Sequence, residues 1–67
     1  MIDIVVNGER QTTPEGQTVL GLLAQLQIDP ARVAVELDRR IVKQAHWGAT
    51  TLGHGSQVEI VQFVGGG

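Results

Sequence analysis

Hydrophobic and polar residues alternate near both ends of the chain, and apolar residues recur at three- and four-residue intervals between them. "MIDIVV" places Ile2, Ile4 and Val6 on one side and Asp3 and Val5 on the other, the period of a half-buried strand. Asn7-Gly8 suits the two positive-φ positions of a tight hairpin, so "ERQTT" is expected to return as a polar strand near an edge. Pro14, Glu15 and Gly16 close that strand with turn chemistry. In "TVLGLLAQLQI", Val19, Leu22, Leu23 and Leu26 form one helical stripe, with Thr18 as N-cap and Asp29-Pro30 as the stop. Gly21 within it is expected to allow close approach to a sheet. "VAVEL" alternates again with Val33, Val35 and Leu37 inward, and Asp38-Arg39-Arg40 turns into a brief strand at Ile41-Val42. Lys43 to Gly55 has no clear period and is expected to wrap the domain. "SQVEIVQFV" is the last strand, with Val58 and Ile60 on one face and Glu59, Val61 and Phe63 on the other.

Hairpin, helix and further strands in this order predict an α+β fold: a mixed sheet with one main helix on one face. The most apolar strands are the first and last, which suits a central parallel pair joined by a crossover through the helix. The pattern predicts β-grasp architecture over residues 1–64, and a flexible glycine tail is expected at 65–67. A sheet covered on one face leaves Val5, Val61 and Phe63 facing water, and adjacent central strands are expected to bring them together as a docking patch. Glu59 would sit beside them and set the register of a docked complex.

Sixty-seven residues make one small domain with little room for an enzyme pocket. A net charge of −2 with five basic residues argues against a grip on nucleic acid or anionic lipid. No apolar run approaches the ~20 residues of a membrane span, and a cytoplasmic protein is expected. Without cysteine there is no disulfide and no thiolate. His46 and His54 have no metal-ligand pattern around them and are expected at the surface. Trp47 is expected to cap one end of the core. No carboxylate pair or Ser-His set has a catalytic spacing, so no catalytic residue is assigned.

The ending "QFVGGG" carries the chemistry. Glycine lacks a Cβ, so Gly65, Gly66 and Gly67 can thread a narrow channel, reaching ~10 Å beyond the last strand. They would deliver the α-carboxylate, which must be activated before any nucleophile can displace its oxygen. Forming a mixed anhydride with AMP achieves that, but the chain has no phosphate-cradling motif, so a partner must supply it.

The whole chain resembles the ThiS-type sulfur carriers of thiamine biosynthesis. The residues that carry the likeness are "NG" after the first strand, "GQTVLGLL", "VAVEL" with "RIV", Trp47 and above all "VEIVQFVGGG". Lys43-Gln44 and His54-Gly55-Ser56 depart from the family pattern in loops. The resemblance implies a non-enzymatic co-substrate. Gly67 would be adenylated by a ThiF-type, E1-like enzyme using MgATP, and converted to a thiocarboxylate with sulfur from a persulfide donor. A ThiG-type thiazole synthase would receive that sulfur. The chain itself would bind no cofactor. The alternatives are a MoaD-like carrier for molybdopterin, a ubiquitin-like modifier, and a β-grasp module that only binds.

Overall fold

The computed structural model describes residues 1–63; Val64 and the glycines expected to form the tail lie outside the described residues. Strands β1 (Ile2–Val6), β2 (Glu9–Thr13), β3 (Val33–Leu37), β4 (Arg40–Val42) and β5 (Gln57–Gln62) form one sheet in the order β2-β1-β5-β3-β4. Helix α1 (Val19–Gln25) packs on one face. β1 and β5 are the parallel pair and every other pairing is antiparallel. This is the expected β-grasp.

Both hairpins turn on two residues with positive φ. In the first, Asn7 and Gly8 have φ of 50° and 82°, and the ladder runs from Val6↔Glu9 to Ile2↔Thr13. In the second, Asp38 and Arg39 have φ of 51° and 69°, between Leu37 and its partner Arg40. Asp38 tolerates this region through its short polar side chain, and here it is held twice: its N–H donates to the Gln57 carbonyl at 2.7 Å, and its Oδ1 accepts from the Gln57 N–H at 2.9 Å. Arg39 has no such help.

The apolar stripe of α1 is as expected, with Val19, Leu22 and Leu23 buried and Leu26 partly so. The helix nevertheless ends before the Asp29-Pro30 stop. Gln27 takes φ 59°, its N–H bonds the Ala24 carbonyl, and the Ile28 N–H reaches back to Leu23. This is a Schellman close with glutamine where glycine is usual. Pro30 instead opens a 3₁₀ turn, Pro30–Arg32, capped by Asp29, whose Oδ1 accepts from the Ala31 N–H. The expectation for Gly21 is also corrected. A Cβ there would strike the Gln17 side chain and the Thr18 hydroxyl, not the sheet.

The aperiodic stretch from Lys43 to Gly55 is integral to the core. Trp47 and Leu52 are 2% and 3% exposed, and the Trp47 Nε1–H donates to the Val42 carbonyl at 2.7 Å. The same stretch serves the start of α1: the Val19 and Leu20 N–H groups donate to the carbonyls of Thr50 and Trp47. Thr18 Oγ1 takes the Gly21 N–H and the Thr18 N–H donates to Gln17 Oε1, so the helix's orphan donors are all engaged. At the other end of α1, Gln25 bonds the buried Thr13 hydroxyl and the Thr12 carbonyl, tying the helix to β2.

Two predictions follow from this packing. Arg39→Gly should stabilise the domain by about 0.5–1 kcal/mol in a urea melt, because glycine carries no Cβ penalty at positive φ. Leu52→Ala should destabilise it by about 2–5 kcal/mol, as a core truncation does; a change near zero would make the wrap a surface loop.

Candidate docking face and carrier strand

β5 lies in the middle of the sheet and leads to the C-terminal residues. On its β3 side it has five register pairs, from Leu37↔Val58 to Val33↔Gln62, and the Phe63 N–H adds a bond to the Arg32 carbonyl at 2.8 Å. On its β1 side the register is short, Val5↔Gln57 and Val6↔Val58, because β1 turns away at Asn7. Continued by two more pairs, that register would set Ile60 against Gly8, which has already entered the hairpin. The Asn7 side chain fills the gap. Its Oδ1 accepts from the Ile60 N–H at 2.7 Å and its Nδ2 donates to the Ile60 carbonyl at 3.1 Å. The Asn7 main-chain N–H bonds the Val58 carbonyl at 2.9 Å. One side-chain amide thus stands in for a peptide unit at the end of the parallel ladder.

The alternation of β5 is as expected. Val58 and Ile60 are buried against the helix layer, while Glu59, Val61 and Phe63 are exposed, the last two at 55% and 57%. The expected single patch, however, is split by the register. Val61 stands opposite Ala34 of β3, and Val5, which is half-buried, stands level with Gln57. Four residues of strand separate the two, about 13 Å at the usual rise. Asp3 lies farther still, paired with Thr12, and its N–H donates to His54 Nδ1.

The face that does form runs across β5, β3 and β4. Glu59 is directly opposite Glu36, and Glu36 is directly opposite Ile41, which is 78% exposed. Ala34 and Val61 form the next row, toward Phe63. Sequence reading missed Ala34, Glu36 and Ile41, since strand pairing alone brings them beside Val61. Like charges directly opposite on neighbouring strands oppose pairing. Among the described residues neither carboxylate forms an ion pair; the pair present is Arg32–Asp29 at 3.6 Å. His46 and His54 are exposed. Among the described residues, no helix is long and apolar enough to cross a membrane.

Known proteins share both the sequence pattern and this architecture. The chain is similar to proteins named thiazole synthase from Magnetococcus marinus and Paramagnetospirillum magneticum, at 41% and 38% identity over 64 residues. Each match covers 96% of this chain and 20% of the relative, so the chain spans about a fifth of the length of the curated relatives it matches. The crystal structure of the thiamine biosynthesis protein ThiS from Geobacter metallireducens superposes with a TM-score of 0.86 at 33% identity, covering 98% of this chain and all of that one. The solution structure of a thiamine biosynthesis protein from the same organism gives 0.81 at 35% identity, covering 98% of this chain and 88% of that one. The ThiS family model matches residues 4–67, and the chain belongs to that family of small ubiquitin-like β-grasp proteins.

Proposed function

We propose that this protein is a sulfur carrier whose reactive group is the α-carboxylate of Gly67. The observation that carries the reading is the extent of the family match, which runs through the three closing glycines. In this reading the carboxylate attacks the α-phosphorus of ATP on a ThiF-type, E1-like partner, and pyrophosphate leaves. The terminal sulfur of a persulfide then attacks the acyl carbon and AMP departs. Cleavage of the resulting S–S bond by a thiol leaves the thiocarboxylate on Gly67. Gly65 and Gly66 carry it into partner sites too narrow for a side chain. The chain is therefore a co-substrate, and MgATP belongs to its partner.

Thiazole formation is the favoured destination of the sulfur. The two relatives named thiazole synthase contain a region similar to this chain within one longer polypeptide, which supports a ThiG-type acceptor. No comparable observation supports a molybdopterin acceptor. The docking face in this proposal is Glu59, Val61 and Phe63, joined by Ala34, Glu36 and Ile41. Val5 belongs at most to its margin. A partner meeting this face needs apolar side chains around a cation, since a guanidinium can satisfy two facing carboxylates at once.

The reading is tested by intact mass of the untagged protein from its native cell. The expected species ends at Gly67 and is heavier by sulfur minus oxygen. Persistence of the plain carboxylate after incubation with MgATP, the activating enzyme and a persulfide donor would overturn it. Deleting Gly66 and Gly67 should abolish the mass gain and leave the urea midpoint unchanged. Phe63→Ala should weaken binding to the activating enzyme about thirtyfold or more, as a hot-spot truncation does. Its effect on stability should stay within about 0.5 kcal/mol, the range of exposed positions; a larger loss would place Phe63 in the core.

A further inference from the structure

We propose that Asn7-Gly8 is a deamidation site held inactive by the Ile60 clamp, so that Asn7 is a modification site coupled to the integrity of the last strand. Asparagine followed by glycine is chemically labile, because a neighbour with no Cβ lets its main-chain nitrogen approach the asparagine Cγ. The Gly8 nitrogen bonds to Cγ, the Cγ–Nδ2 bond breaks, and ammonia leaves with the Gly8 amide proton. Water then opens the succinimide at either carbonyl, giving aspartate or isoaspartate. Asn7 is exposed to solvent, so water is at hand.

The fold opposes the first step. Ring closure must bring Cγ onto the Gly8 nitrogen and make it tetrahedral. In the structure the amide is planar and committed at both ends to Ile60, through Oδ1 at 2.7 Å and Nδ2 at 3.1 Å. Attack therefore requires that the amide first leave Ile60, which means opening the end of the β1–β5 pair. The products cannot restore what was lost. Aspartate has no donor for the Ile60 carbonyl and sets a negative oxygen against it. Isoaspartate routes the main chain through Cβ and lengthens a two-residue turn whose register is Val6↔Glu9. Either product releases β5 at Ile60, immediately before exposed Val61. The step runs one way, from a brief local opening to a permanent loosening of the strand that leads to Gly67.

The test compares deamidation of the intact protein with that of the same chain unfolded in urea, at equal pH and temperature, by peptide mapping of residues 1–10 and isoaspartate labelling. The folded protein should react at least about tenfold more slowly, and urea well below the global midpoint should already speed it by populating the local opening. Equal rates in the folded and unfolded chains would overturn the proposal. In Asn7→Asp, the Ile60 amide should exchange its hydrogen at least about tenfold faster than in the wild type, with the Val35 amide as an internal reference. Unchanged Ile60 exchange would also overturn it. If that variant does not fold, the urea dependence of the wild-type rate decides the matter alone.

Discussion

The parallel contact between β1 and β5 is the interaction on which the rest depends. It joins the first and last strands across the middle of the sheet, and without it neither strand of the β1–β2 hairpin would pair with β3, β4 or β5. Yet it is the weakest ladder in the molecule by extent, with two register pairs against five for each long neighbour. Asn7 makes up the difference. The hairpin needs a residue that tolerates positive φ at that position, and the neighbouring strand needs a donor and an acceptor side by side. Asparagine meets both demands; aspartate and glycine each meet only one.

This double duty shows where the sequence could be read and where it could not. The alternation of β1, β3 and β5, the Asn7-Gly8 turn and the stripe of α1 are local signals, each decided within a few residues. They were enough for the fold. Register is different in kind, because nothing in "MIDIVV" or "VEIVQF" says which residues stand level. Alternation alone therefore groups Val5 with Val61, whereas pairing places Glu36 and Ile41 on the face with Val61. The early end of α1 was hidden for a related reason. Gln27 has no intrinsic preference for the left-handed region, and it adopts φ 59° because the closing bonds to Leu23 and Ala24 hold it there. Leu52 gave no periodic cue, since a wrapping segment follows the surface it covers.

The exposed sheet face is not optimised for the isolated fold. Val61, Phe63 and Ile41 leave apolar area in water, and Glu36 faces Glu59 without a counter-charge among the described residues. Both features cost stability in the free protein, and both become favourable against a partial complement of apolar groups and a cation. The opposite face shows no such compromise: its strand residues Ile4, Val6, Val35, Val58 and Ile60 are all buried under the helix layer.

The wrapping segment also governs how the domain folds and comes apart. A seven-residue helix is far below the length at which helices persist alone in water. Here its first turn borrows acceptors from Trp47 and Thr50, far downstream in the sequence. α1 therefore cannot form ahead of the rest as an autonomous seed. The chain must close a long loop before α1 is secured, a non-local step of the kind that slows folding and sharpens it into a single transition. Cutting or inserting between Lys43 and Gly55, in what looks like the most permissive stretch of the sequence, would take the helix with it.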